Sequence, residues 1–464
     1  MDKQRQQQII DTVKQAGQGH VLAYWDQLGE KEREELLRQL AGIDFDLLTE
    51  LKRRFIATPG PSHATGKLEP AEFIPLPETS EEKQACQRAR QIGESALREG
   101  RVAAFLVAGG QGSRLGFDGP KGKFAISPLR GKTLFQLHAE KILALGRKYG
   151  TTIPWYIMTS KTNHEETIGF FKANNFFGLG RDDVSFFEQE MIPALGTDGQ
   201  LLLESTHKVF MNPNGHGGSL SALQRSGALD DMRQRGIDLI YYFQVDNVLI
   251  NICDPVFLGY HLQKEAEMSA KIVAKTDPEE KVGVLARIDA RLGVVEYSDL
   301  PDTEKRATNS DGTLKFRAGS IAIHVFSRDF VERETAGGLR LPWHVAYKKI
   351  SCLNSAGDRV EPEKPNGFKF ETFVFDALGD ARKAMFLEVR RQDEFSPVKN
   401  ADGRNSPETA RRDMVRQFKR WLHEAGAFVP KSVVEISPLF ALESADLKDK
   451  LVKIPPTDWD LYLG

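Results

Sequence analysis

Leu106-Val-Ala-Gly-Gly-Gln-Gly-Ser-Arg-Leu-Gly-Phe-Asp-Gly-Pro-Lys-Gly-Lys-Phe124 is a glycine-rich loop that begins where an apolar run, Val102-Ala-Ala-Phe-Leu-Val107, gives out. A short run with no polar alternation reads as a strand buried on both faces, as in a parallel sheet. The end of such a strand is where an open α/β sheet binds its ligand. Gly109, Gly110 and Gly112 let the backbone come close to a ligand and turn N–H groups toward anionic oxygens, and Arg114 and Lys121 bring full positive charge to the same loop. The loop reads as a grip on a polyphosphate.

Two other phosphate loops fit less well. A P-loop needs a hydroxyl after its Gly-Lys, whereas Gly122-Lys123 is followed by Phe124. A dinucleotide fold needs an acidic residue at the end of its second strand, and that strand, Ile153 to Thr159, runs out into Ser160 and Lys161.

Outward from the loop, apolar strands alternate with amphipathic helices from Arg101 to about Lys349, the pattern of a parallel sheet covered on both faces. Strands are expected at Val184 to Phe187, Leu239 to Val245 and Ala270 to Ala274. Thr133-Leu-Phe-Gln136 spells a capping box, with Leu134, Leu137, Ile142 and Leu145 forming one apolar face behind it. Asn163 with Glu166 opens a second helix in the same way. Leu239-Ile-Tyr-Tyr-Phe-Gln-Val245 ends in Asp246-Asn247. A carboxylate at that tip faces the ligand crevice, where beside a triphosphate its task is to hold Mg²⁺; the plain alternative is an Asx turn leaving the strand.

The region before Arg101 is helical in pattern, with Leu36, Leu37, Leu40 and then Leu47, Leu48, Leu51. Thr58 to Pro77 interrupts it with five prolines and two glycines and reads as a segment wrapped over the surface. Ser406 to Ala425 reads as a helix and Phe428 to Gly464 as a small region containing strands.

The full pattern G-G-x-G-[ST]-R-L-G followed by Pro-Lys is far more specific than its glycines. It resembles the signature loop of the nucleotide-sugar pyrophosphorylases, in its details that of the UDP-N-acetylhexosamine pyrophosphorylases of eukaryotic type. The likeness covers nearly the whole chain, from Gly19-His20-Val21-Leu22-Ala23-Tyr24-Trp25 to about Ala425. It implies an α/β fold: a central Rossmann-like nucleotidyltransferase domain with a mostly parallel sheet over 101–355, a helical N-terminal region over 1–100, and a small α+β C-terminal region over 356–464 that supplies phosphate-binding lysines.

The resemblance also assigns roles. Ala108, Gly109 and Gly110 would hold the uridine end of UTP, and Arg114 and Lys121 would neutralise the β- and γ-phosphates. Asp246 would bind Mg²⁺. Glu188-Gln-Glu-Met-Ile-Pro-Ala194 resembles the uracil-binding segment, in which the Gln189 amide can pair with both a donor and an acceptor of the base. Pro213-Asn-Gly-His-Gly-Gly218 resembles the loop that closes over the nucleotide, with Gly215, His216 and Gly217 at its centre. His216 stands where this family usually has Asn; a Gly-His-Gly loop is familiar from UDP-glucose pyrophosphorylases, and read by itself His216 is a loop residue in water. Glu296 and Tyr297, with Phe316 to His324, resemble the sugar-side wall, and Ser320 stands where the family usually has Asn. Pro365 to Asp376 and Asp393 to Asp402 match closely, placing Lys369 and Lys399 on the sugar phosphate and the α-phosphate. By itself either lysine would be an ordinary solvated one.

The implied reaction joins UTP to N-acetylglucosamine 1-phosphate and releases pyrophosphate. The neighbouring reading is the same reaction with glucose 1-phosphate; a different one is a UDP-sugar sensor without turnover, since fold alone does not give activity. Composition sets the outer bounds. A formal charge of −2 with 28% charged residues leaves no global field for nucleic acid or an anionic membrane. Cys86, Cys253 and Cys352 are far apart and lack C-x-x-C spacing, which argues against a disulfide framework or zinc site and for a reducing compartment, which the cytoplasm fits. No apolar run approaches a membrane span. A monomer or weak homo-oligomer is expected.

Overall fold

The computed structural model describes residues 1–57, 66–354, 356–448, 450 and 459–464. The first part of the expected surface segment, 58–65, lies outside them. The chain forms two compact units, each discontinuous in sequence: one of residues 1–65, 190–218 and 341–374, the other of 66–189, 219–340 and 375–464. The three consecutive segments of the sequence reading do not coincide with these units. Lys369 and Lys399, expected to share one C-terminal region, belong to different units.

The larger unit is built on a ten-stranded sheet. Its strands are β1 (Leu68–Pro70), β2 (Val102–Val107), β3 (Trp155–Thr159), β4 (Val184–Glu188), β5 (Leu239–Gln244), β6 (Met268–Ala274), β7 (Val284–Ile288), β8 (Arg291–Val295), β9 (Ala318–Ser327) and β10 (Ala384–Glu388). β5, β2, β3 and β4 lie side by side and parallel, as the unbroken apolar runs require. β9 pairs antiparallel with β5 on one edge and β6 on the other, and β10 joins β6 in parallel. β5, β2, β3, β6 and β10 therefore all end at the same edge of the sheet. The core between sheet and helices is aromatic: Phe105, Phe135, Trp155, Phe171, Tyr241 and Phe243 are fully buried.

Helix Leu134–Tyr149 buries the expected apolar face, and Thr133 caps it by accepting from the Gln136 N–H at 3.2 Å. The box is only half made, because the Gln136 side chain turns forward to Glu140 at 3.0 Å. Asn163 does not cap helix His164–Ala173 with its side chain at all. Ser406 caps helix Pro407–Glu424, and Val434–Ile436 pairs in parallel with Leu461–Leu463. Among the described residues no helix is long and apolar enough to cross a membrane.

The smaller unit carries the N-terminal helices Lys3–Gln15, Glu30–Ala41 and Phe45–Leu51. Leu36, Leu40, Leu48 and Leu51 meet Ile192, Leu195, Leu201 and Phe370 in its own core. A three-stranded sheet in it places Gly367–Thr372 between Trp343–Lys348 and Leu195–Gly196.

Candidate active site

In the larger unit the loop after β2 is folded back on itself. Gly112 N–H donates to Gly119 O at 2.9 Å and Lys121 N–H to Gly110 O at 3.1 Å. A Cβ on Gly112 would lie 2.6 Å from Phe117 Cδ1 and 2.9 Å from its carbonyl oxygen, so only glycine closes this turn. At Gly110 a Cβ would meet nothing within 4 Å, leaving room beside the backbone. Asn163, read as a cap, instead ties down the loop: its Nδ2 donates to Ala108 O at 3.0 Å while its Oδ1 accepts from Ser160 N–H at 2.8 Å. It is fully buried, and a buried amide left half-used would be costly, so the loop's entry is fixed.

Gln189 continues the β3–β4 pairing by donating its N–H to Thr159 O at 2.7 Å. Its Oε1 lies 3.2 Å from where a Cβ on Gly109 would sit, so the sequence-distant amide and the loop do come together.

At the tip of β5, Asp246 Oδ2 accepts from Lys121 Nζ at 3.0 Å, with only 11% and 15% of the two side chains exposed. The backbone around Asp246 is held by several hydrogen bonds. His138 lies within hydrogen-bond distance of Val245 O, its Nε2 3.0 Å away; burial holds its pKa down to about 3, so the ring is neutral and donates there. Lys141 Nζ donates to Val248 O at 2.7 Å and Ile250 O at 2.8 Å, and burial lowers its pKa to about 8. Asn247 bonds Glu394 O through Nδ2 at 2.7 Å and Ser396 N–H through Oδ1 at 3.0 Å, and Val398 N–H donates to Asp246 O at 2.9 Å. These contacts place the backbone of Lys399 one residue from a bond to Asp246. The Lys399 side chain is exposed, as is that of Arg114.

Behind this segment Lys271 is completely buried between Asp254 at 2.7 Å and Glu394 at 2.5 Å. Burial alone would lower its pKa, but the two carboxylates outweigh it and raise it, so the ammonium is charged. Glu394 also accepts from Asn251 N–H at 3.1 Å. Sequence reasoning missed this cluster, although a lysine inside the apolar run Met268-Ser-Ala-Lys-Ile-Val-Ala274 was its visible sign, since lysine is almost never fully buried unless paired.

Among the residues expected at the sugar, Ser320 N–H donates to Gly283 O at 2.9 Å, and Glu296 Oε1 lies 3.3 Å from a Cβ position on the same Gly283. The structure thus brings Glu296 and Ser320 together through one glycine. Tyr297 is 40% exposed.

In the smaller unit, Gly215 has φ +81° and a Cβ there would meet Thr372 O at 2.3 Å, so the loop lies backbone to backbone on the strand Gly367–Thr372. Gly217 N–H donates to Thr372 O and Thr372 N–H to Asn214 O, each at 2.8 Å. His216 is not a loop residue in water. Its Nδ1 accepts from Val374 N–H at 3.1 Å, which puts the proton of the neutral ring on Nε2, and the ring stacks on Phe373 at 5.2 Å and 26°. Phe373 also meets His344 at 4.4 Å. Lys369 Nζ sits 4.9 Å over the Phe210 ring.

Among the described residues no group of three or more His, Cys, Asp or Glu could cage a metal ion. A single strand-tip carboxylate such as Asp246 still fits Mg²⁺, which keeps most of its waters and takes one or two carboxylates together with substrate phosphates.

A family model described as UTP–glucose-1-phosphate uridylyltransferase matches residues 51–444. UDP-N-acetylhexosamine pyrophosphorylase-like protein 1 of Homo sapiens is 37% identical over 478 aligned residues, covering 96% of this chain and 94% of that protein. UDP-N-acetylglucosamine pyrophosphorylase of Saccharomyces cerevisiae is 36% identical, covering 91% of this chain and 92% of the relative. Among solved structures, the uridine diphosphate N-acetylglucosamine pyrophosphorylase from Trypanosoma brucei in complex with inhibitor superposes with a TM-score of 0.84 at 28% identity, covering 100% of this chain and 98% of that one. The signature loop, the strand-tip aspartate and a family match spanning most of the sequence agree, and the chain belongs to the UTP–glucose-1-phosphate uridylyltransferase family.

Proposed function

We propose that this protein is a uridylyltransferase that makes UDP-N-acetylglucosamine and pyrophosphate from UTP and N-acetylglucosamine 1-phosphate. The observation that carries the reading is the Lys121–Asp246 pair at the mouth of the glycine loop, where a cation and a metal-competent carboxylate stand together at the end of a parallel strand. The sugar phosphate oxygen attacks the α-phosphorus of UTP in line and pyrophosphate leaves from the opposite side, so no protein nucleophile is required. The work left to the chain is positioning and charge neutralisation. Ala108, Gly109, Gly110 and Gln189 hold the uridine; Arg114 and Lys121 neutralise the departing pyrophosphate; Lys399 and Lys369 offset the like charges of nucleophile and electrophile. Bound Mg²⁺, held by Asp246, supplies further charge stabilisation on the phosphates. Gly215, His216 and Gly217 cover the nucleotide, and Glu296, Tyr297 and Ser320 face the sugar. The three cysteines, all free, support a reducing, cytoplasmic setting, and we infer a monomer or weak homo-oligomer.

The test is pyrophosphate release from UTP and Mg²⁺ with N-acetylglucosamine 1-phosphate or glucose 1-phosphate. Both are expected to react, the first modestly better. Release with neither would overturn the activity, and a preference for glucose 1-phosphate above ~100-fold in kcat/KM would overturn the sugar assignment.

A further inference from the structure

The segment that presents Lys399 also lines a second cavity. Ser396 and Asn405, at either end of that loop, face a cleft of about 610 Å³, a volume typical of small-molecule sites, and none of the residues assigned to UTP or sugar lines it. Ala274 and Glu388, the last residues of β6 and β10, form part of its wall, so it opens at the carboxyl ends of a parallel pair. Six arginines line it, Arg390, Arg391, Arg404, Arg412, Arg416 and Arg420, against two carboxylates, Glu388 and Asp413.

Neighbouring acids absorb only part of this charge. Arg391 and Arg404 share a single partner, Glu280, at 2.6 and 2.8 Å. Asp413 is divided among Ser396 Oγ at 2.9 Å, Arg412 at 3.3 Å and Arg416 at 3.8 Å. Glu388 lies 3.5 Å from a further arginine, Arg317, and Arg420 takes Asp393 at 2.6 Å. Arg390 has no ion pair among the described residues. A surplus of guanidinium forks converging in a concavity suits tetrahedral oxyanions, which arginine holds bidentately. A convex basic face would suit a nucleic acid backbone; an open cleft of this size suits a small molecule.

We propose that the cleft binds a small, multiply charged phosphate compound and that its occupancy is felt at Lys399. Lys399 N–H and Asn400 N–H both donate to Asn405 O, at 2.6 and 3.1 Å, and Asn400 Nδ2 donates to Arg404 O at 2.8 Å. A ligand that draws Arg404 from Glu280 moves the clasp that fixes the Lys399 backbone. This second half rests on the role given to Lys399 above; the binding half does not.

Calorimetric titration of the full chain, without Mg²⁺, with inorganic tripolyphosphate and separately with fructose 1,6-bisphosphate separates a condensed phosphate from an organic phosphoester as the ligand. At least one is expected to bind. Affinity should fall at least ~tenfold in Arg412→Gln/Arg416→Gln and in Arg390→Gln, the loss of a charge-assisted bond, and stay unchanged in Lys121→Ala. Arg390→Gln removes no ion pair, so it remains informative if the double variant does not fold. No heat from either probe at millimolar concentration, or a loss that follows Lys121→Ala instead, overturns the site. In the pyrophosphate-release assay the bound probe should change wild-type kcat at least ~threefold and leave Arg390→Gln unmoved; an equal response in both overturns the coupling.

Discussion

At the tip of β5, Asp246 is tied to Lys121 through its side chain and to Val398 through its carbonyl, with His138 bonded to Val245, Lys141 to Val248, and Asn247 to Glu394 and Ser396. At the proposed sugar-side wall, Ser320 N–H donates to Gly283 O, Glu296 Oε1 lies beside the same glycine, and Tyr297 is 40% exposed. The difference fits what the proposed reaction asks of each end. A charge acting on a transition state is effective only when it is already in place, because moving it during the reaction would cost what its presence gains. A sugar hydroxyl needs only a satisfied hydrogen bond, which a short side chain or a water can supply. The strand tip holds its charge in a bonded, largely buried setting, while the proposed sugar side includes an exposed aromatic ring.

If that contrast holds, the largest effect belongs to the strand tip. Asp246→Asn keeps the shape and loses the charge, and should lower kcat by ~10³-fold with an unchanged melting temperature; wild-type turnover at saturating Mg²⁺ would remove Asp246 from the metal site. Lys399→Ala should cost at least ~10²-fold in kcat, about 2.7 kcal/mol of transition-state stabilisation. A variant altered only in KM for UTP would make Lys399 a uniform binder instead.

A smaller effect tests how the strand carrying Ser320 is held. His261 bonds Ser269 of β6 at 2.7 Å and Ser327 of β9 at 3.2 Å. Ser327 Oγ donates to Ala266 O at 3.0 Å, so His261 Nε2 is the donor to Ser327 and Nδ1 accepts from Ser269, as in a neutral ring. Burial lowers its pKa from 6.5 to about 3. The folded state therefore holds the neutral form; its contribution is complete above pH 6.5 and is lost as pH falls toward 3, at no more than about 1.4 kcal/mol per pH unit. Urea denaturation at pH 7 and pH 5 should show wild type losing about 2 kcal/mol more than His261→Gln. Equal losses would assign the acid sensitivity to other groups.

The smallest effect lies at the sugar. One neutral hydrogen bond contributes ~0.5–1.5 kcal/mol, so Ser320→Asn should raise the preference for N-acetylglucosamine 1-phosphate over glucose 1-phosphate by only ~two- to twelvefold. A reversed preference would show that this position does not face the acetamido group.

The strands, the loop and the cap at Thr133 could be read from sequence because each is written in adjacent residues: an apolar run, glycines at a turn, a hydroxyl three residues before its N–H. The roles of Asn163, His216 and Lys271 could not. Asn163 had an equally good local use as a cap, and only the fold sets the Ala108 carbonyl beside it. His216 finds its partner at Val374 and Lys271 one of its carboxylates at Glu394, separations of 158 and 123 residues that no spacing rule spans. The two compact units escaped for the same reason, since each is assembled from three separated stretches.

We propose that the glycine loop and the strand tip form one phosphate site through Lys121 and Asp246. Its most direct test is a double-mutant cycle in pyrophosphate release from UTP and N-acetylglucosamine 1-phosphate, using Lys121→Ala, Asp246→Asn and both together. Residues acting as one unit lose their effect once, so the double variant should fall within ~tenfold of Asp246→Asn alone. Losses that multiply in full would mean that the two residues act independently, and would contradict the account.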